Sequence, residues 1–172
     1  MGIFYDKASG KIINTDLPSD GLLPLGASST PNIPLFQALK FEKQPVKNEP
    51  TDVIEWDKPT IIDENVYSFD YKTGILKLSE GIYDISAWGL AQVTGNNRIE
   101  LKLWLSDIKN NLVKGAEDKQ YSARNNSQNE GSAQFNNFLL EVKDTKEFKL
   151  RMSKVGSDAN LIGAKFTIKK LK

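Results

Sequence analysis

The sequence predicts an all-β protein, a two-sheet antiparallel sandwich preceded by an extended N-terminal arm. Three observations carry that expectation. All seven prolines lie between Pro18 and Pro59; proline cannot donate to a strand ladder, so the proline-free remainder is the sheet-built part. Within Ser79 to Val93, Tyr83, Ile85 and Ala87 alternate with Asp84 and Ser86, the period of a strand with one face in a core. Ile99, Leu101, Leu103 and Leu105 alternate with Arg98, Glu100, Lys102 and Trp104 in the same way. The chain has no internal repeat, heptad run or glycine-every-third period. At 172 residues it suits one domain with an appendage, large enough to bury a core without covalent staples.

Composition excludes several kinds of chemistry. With no cysteine there is no disulfide, thiolate catalysis or cysteine-ligated zinc. With no histidine there is no serine-histidine triad and no histidine-ligated metal. Lys plus Arg of 23 against Asp plus Glu of 22 leaves a net charge of +1 and no basic stripe beyond the Lys165, Lys169, Lys170, Lys172 alternation, so no nucleic-acid partner is expected. Membrane insertion is not expected either, because no segment approaches the ~20 apolar residues of a spanning helix. Gly2-Ile-Phe-Tyr-Asp6 lacks the charged start and apolar run of a secretion signal. If the protein acts outside a cell, the expectation is that it is carried there by lysis, on a particle, or after removal of a leader.

In chain order, residues 1–37 read as the arm and 38–172 as the head. Thr15 to Pro34 sets isolated leucines between turn residues, which denies it a long helix, and proline and glycine spacing denies the arm, about Met1 to Leu35, a strand ladder of its own. Leu17, Leu22, Leu23, Leu25 and Ile33 are nevertheless too apolar for a solvated linker. The arm is expected to lie in a groove on a partner; packing back on its own head, or free disorder, are the alternatives. Strands are expected at Ala38 to Lys43, Val53 to Trp56 and Val66 to Tyr71. A turn at Gly74 then feeds Ile75 to Leu78, followed by the long strand from Gly81 and by Arg98 to Ser106. Lys119 to Asn137 is polar and reads as a long exposed loop. Phe138, Leu140 and Val142, then Phe148, Leu150 and Met152, mark two more strands, and Leu161 to Leu171 closes the domain.

The succession Phe69-Asp-Tyr-Lys-Thr-Gly-Ile-Leu-Lys-Leu78, followed by Gly81-Ile-Tyr83 opening a long strand, resembles the jelly-roll domains of the tumour necrosis factor and complement globular-head superfamily. Leu140 to Leu150 is similar to that family's strand, acidic turn and strand, and Ala164 to Ile168 to its closing strand; the resemblance covers about Leu39 to Lys172. It implies a two-sheet antiparallel jelly roll and a homotrimer whose inner sheets meet on a threefold axis, with binding on the outer surface and loops. Apolar Ile75 and Leu139, each facing away from its strand's main apolar side, agree with inner strands covered on both faces. Phage and bacterial proteins similar to this family carry such heads on arms. The function expected is therefore a non-enzymatic virion structural protein, a phage head fibre, decoration or tail receptor-binding head. Its partners would be a capsid or tail protein through the arm and a host cell-surface glycan or protein. The alternative is a secreted or cell-surface bacterial carbohydrate-binding module; an enzyme is the third reading.

Candidate sites are few. Asp57, Asp63, Glu64 and Asp70 could supply oxygen ligands but lack the spacing of a calcium loop, so no metal or cofactor is expected. Ser9-Gly-Lys11 lacks the preceding glycine and strand of a phosphate loop. Asn125-Asn-Ser127 matches a glycosylation acceptor. No carboxylate pair is singled out for glycoside chemistry. A three-residue turn at Gly95 to Asn97 would set Ala87 opposite Leu105 and Trp88 opposite Trp104 on the outer side of one sheet. That indole pair is expected either beneath the arm or a neighbouring subunit, or as a receptor platform, or broken by a bulge that turns one ring inward. The loop residues Arg124, Asn125, Asn126, Gln128 and Asn129 are the second binding candidates.

Overall fold

The computed structural model of the chain describes residues 33–94, 98–121 and 130–172 in full, and the backbone alone of 2–6, 11–15, 22–24 and 122. The chain separates into two units, Met1–Asn32 and Ile33–Lys172.

In the first unit, β1 (Gly2–Asp6) pairs antiparallel with β2 (Lys11–Thr15) and with β3 (Leu22–Pro24). The stretch expected to have no ladder of its own thus forms one. Phe4 pairs with Pro24, the last residue of β3. Leu22 and Leu23 lie in β3, whereas Leu17 and Leu25 fall outside the described residues.

The second unit contains two antiparallel sheets and, among the described residues, no helix. One has the order β12 (Glu130–Val142), β9 (Gly81–Val93), β14 (Ala159–Lys170), β4 (Leu35–Lys40), with β5 (Gln44–Val46) also on β14. The other has the order β11 (Leu112–Ser122), β10 (Ile99–Asp107), β13 (Lys146–Gly156), β8 (Ile75–Leu78), β7 (Tyr67–Asp70), with β6 (Thr51–Asp52) on β13. The chain passes from β9 to the opposite sheet for β10 and β11, returns for β12, and crosses again for β13 and for β14. This is the connectivity of a jelly roll.

The core lies between the sheets. Tyr83, Ile85, Ala87, Ala91 and Val93 point into it from β9, and Ile99, Leu101, Leu103 and Leu105 from β10, as the alternation predicted. One end is aromatic: Phe36 meets Phe69 at 4.9 Å between ring centroids and Phe166 at 6.1 Å, and Trp56 meets Phe69 at 6.0 Å. These edge-to-face contacts suit the ring quadrupoles.

Four expectations are corrected. The first head strand starts at Leu35 with Phe36 fully buried, because the apolar-polar alternation already runs through Leu35-Phe-Gln-Ala-Leu. Val53 to Trp56 is not a strand. Val53 N–H donates to Leu150 O, Glu55 takes a left-handed φ of 56°, and Trp56 Nε1 donates back to Val53 O at 2.9 Å. The polar stretch from Lys119 to Asn137 is mostly strand: β11 runs to Ser122 and β12 starts at Glu130. Gly131, Ala133 and Phe135 face inward from β12. Finally, β8 and β12, both taken as inner strands, belong to opposite sheets, so Ile75 and Leu139 do not share a layer.

Candidate functional site

The outer face of β12-β9-β14-β4 can be read in rows across the strands, since directly paired residues project to the same side. One row is Leu139, Asp84, Lys169 and Leu35; the next is Ser86, Thr167 and Gln37; the third is Gln134, Trp88, Lys165 and Leu39. Leu90 and Gly163 follow. Leu35, Leu39, Trp88 and Leu90 are partly buried, and Leu139 is 63% exposed. Trp88 is lowered onto the sheet because Gly163 has no side chain: its Cζ3 lies 3.5 Å from where a Cβ at 163 would stand. Asp84 Oδ1 is buried and has no hydrogen-bond partner among the described residues. Sequence reasoning found Trp88 but missed the leucines around it, although Leu90 was legible as an apolar residue in the polar phase of β9.

Trp104 stands elsewhere. β9 and β10 do not pair, so the expected Trp88–Trp104 juxtaposition is overturned: Trp88 pairs with Gln134 and Lys165, while Trp104 pairs with Glu117 and Arg151 on the other sheet. Both rings point away from the core, in opposite directions. Trp104 is only 6% exposed, because Lys102 Nζ lies 5.4 Å and Arg151 Cζ 5.9 Å from its ring. Those cations are held by carboxylates. Lys102 meets Glu117 at 3.1 Å, and Arg151 Nε meets Asp52 at 2.8 Å while Lys149 Nζ meets the other Asp52 oxygen at 2.7 Å. A ring sealed in this way cannot stack on a ligand. Farther along the same face Tyr121 is 69% exposed, with Lys119 Nζ 5.4 Å from its ring. The Lys119 ammonium and then the Tyr121 hydroxyl hold the Glu100 carboxyl below its usual range, and Glu100 in turn raises Lys119.

Arg124, Asn125, Asn126, Gln128 and Asn129 lie outside the described residues, as do Ser9, Gly10 and the Gly95 to Asn97 turn. The four acids considered as oxygen ligands are not gathered. Asp63 accepts from Asn65 N, and Asp70 from Lys72 N and the Thr73 hydroxyl, as local turn devices, whereas Asp57 accepts from the distant Phe41 N. Among the described residues no group of three or more acids is placed to hold a metal ion.

A cleft of about 730 Å³ lies between the β10–β11 and β12–β13 turns, with Leu112, Leu140 and Phe148 on its apolar side and Lys77, Lys109 and Lys146 among its charges. Asp107, Glu141 and Glu147 balance those lysines, so the cleft has no charge preference. Two buried lysines are equally unsuited to chemistry. Lys154 Nζ has three acceptors, Asn48 Oδ1, Gly156 O and Asp158 Oδ1, at 3.2, 3.3 and 3.4 Å. Lys40 is fully buried and donates to Glu55 O at 3.1 Å. Burial lowers its pKa, against the raising influence of Glu55, Asp57 and Glu42.

No family model matches the chain, and no curated protein matches it by sequence. Solved structures match by shape. An Eiger TNF from S. frugiperda aligns over 81% of this chain and 94% of its own, with a TM-score of 0.53 and 14% identity. Murine APRIL aligns over 81% of this chain and 99% of its own, with a TM-score of 0.53 and 10% identity at pH 8.5, and 0.52 and 12% at pH 5.0. The fold is that of the tumour necrosis factor jelly rolls.

Proposed function

We propose that this chain is a non-enzymatic structural and binding protein whose head assembles as a homotrimer through the outer face of β12-β9-β14-β4. The observation that carries the reading is that face itself. Leu35, Leu39, Trp88, Leu90 and Leu139 lie on one face with lysines and a shielded carboxylate oxygen set among them, and the described residues of the head leave each of the five at least partly exposed. Several large apolar side chains gathered on one outer sheet face, with charges between them, suit an interaction site. The fold agrees, since the resemblance to tumour necrosis factor heads implies inner sheets meeting on a threefold axis.

The N-terminal unit is then the anchor, and the setting is a virion: a phage head fibre, decoration or tail receptor-binding head joined to a capsid or tail protein. Its support is that residues 1–32 form a contact unit of their own, rich in leucine and proline. Binding of a host glycan or protein falls to the opposite sheet. A second reading, a secreted or cell-surface carbohydrate-binding module, is favoured by the exposed ring of Tyr121.

Sedimentation of the full chain and of residues 33–172 tests the first part: both should behave as three chains at micromolar concentration, and a monomer overturns the trimer. Incorporation into phage particles tests the anchor. The full chain should appear on purified virions and the 33–172 fragment should not; equal labelling of both removes the anchoring role.

A further inference from the structure

We infer that Asp84 is the residue that sets the register of the assembly face, accepting a charged hydrogen bond from Lys165 or Lys169 of the neighbouring copy. This rests on the trimer reading and adds the partner groups that complete the site. Within one chain the site is incomplete. Asp84 Oδ1 is shielded from solvent with no donor among the described residues, although Lys169 is directly opposite it across β9 and β14. Neither Lys165 nor Lys169 is within ion-pair distance of a carboxylate among the described residues, and both are exposed on the same face.

The contrast with the other sheet is instructive. There Lys102, Lys119, Lys149 and Arg151 all meet carboxylates at 3.1 Å or less. One face has closed its charges within the chain, and the other keeps one shielded anion and two free cations beside Leu139, Leu35 and Leu39. A buried carboxylate oxygen left without a donor is costly, whereas a charge-assisted bond made only on association would satisfy it and reject misaligned contacts. In a heterologous cyclic interface the Asp84 patch of one copy meets a different patch of the next, so the neighbour's Lys169, from the same row, or Lys165, two rows away, is within the symmetry's reach. A second copy is the occupant that offers the matching charge in a fixed place.

The test is a charge-reversal series on the full chain, read by sedimentation and by thermal unfolding. Asp84→Ala should weaken association at least tenfold with the monomer still folded. Asp84→Lys should weaken it further, and either Lys165→Asp or Lys169→Asp added to Asp84→Lys should restore part of it. Raised salt should narrow the gap between wild type and Asp84→Ala. Should Asp84→Ala and Asp84→Leu associate as tightly as wild type, Asp84 has no such role, while the trimer reading survives. A wild-type chain that is monomeric removes both. If association is lost on deleting residues 1–32 but survives every Asp84 change, the N-terminal segment covers this face and the inference is overturned.

Discussion

The indole of Trp88 lies over Gly163, with Cζ3 3.5 Å from the position of a Cβ at residue 163. That spacing is ordinary van der Waals contact for a single methyl but leaves no room for a branched side chain. Gly163→Ala should be silent. Gly163→Val should lift the ring off the sheet, shift its fluorescence to the red and weaken association at least tenfold, while the unfolding midpoint stays near wild type; unchanged association would detach Trp88 from the assembly face.

Trp88 and Trp104 should separate cleanly in mutagenesis. Trp104 is buried beneath Lys102 and Arg151 on the opposite sheet, so Trp104→Ala removes packing and both cation–ring contacts while the ion pairs to Glu117 and Asp52 remain. A loss of about 2–4 kcal/mol in denaturant unfolding is expected, with association unchanged, given that buried Trp→Ala costs about 3–5 kcal/mol in full cores. Trp88→Ala should do the reverse, weakening association while costing the monomer little. Identical profiles for the two variants would contradict the separation of the sheets.

Asp52 holds both Lys149 and Arg151 and thereby fastens β6 to β13. Both cations are largely withdrawn from water, with side-chain exposures of 10% and 14% against 32% for Asp52. Asp52→Ala leaves Lys149 and Arg151 without a carboxylate, Arg151 keeping only Pro50 O, and should cost about 1–3 kcal/mol, the range for losing a hydrogen-bond partner of a buried group. Asp52→Asn keeps the shape and should recover only part of it. A midpoint within error of wild type in both would make the pair a surface ornament.

Alkaline unfolding should report Tyr67. Its hydroxyl donates to Pro34 O at 2.8 Å, the residue is 2% exposed, and burial pushes its pKa up from 10 to about 12. Between those values the folded chain keeps a proton that the unfolded chain has lost, so stability falls as pH rises, by up to about 1.4 kcal/mol per pH unit. Lys40 acts in the opposite sense. Its folded pKa is lowered, so the unfolded chain holds the extra proton and stability rises with pH up to the ordinary lysine value of 10.5. Comparing Tyr67→Phe with wild type isolates the tyrosine contribution: the variant should lose the fall between pH 10 and 12, and parallel curves would exclude it.

Periodicity alone determined which side chains face inward. Tyr83 to Val93 and Ile99 to Leu105 point into the core at every alternate position, because a strand exposes successive residues on opposite sides whatever it pairs with. The Gly81-Ile-Tyr83 opening carried the resemblance that gave the jelly-roll class, whereas proline does not mark where the head starts, since Pro45 lies in β5 and Pro34, Pro50 and Pro59 fall in the second unit. What periodicity does not contain is the identity of the neighbour. A register of Ala87 with Leu105 satisfied every apolar phase, yet β9 bonds to β12 and β14, and β10 to β11 and β13. Two strands can bury the same apolar faces as partners in one sheet or as opposed walls of a sandwich. The second arrangement sent Trp88 and Trp104 to opposite surfaces. β11 was missed because, as an edge strand, it buries little beyond Ala116 and so carries almost no apolar alternation. The shielded oxygen of Asp84 and the sealing of Trp104 by Arg151 depend on residues more than forty positions away, and only the packed sheets bring those together or leave them apart.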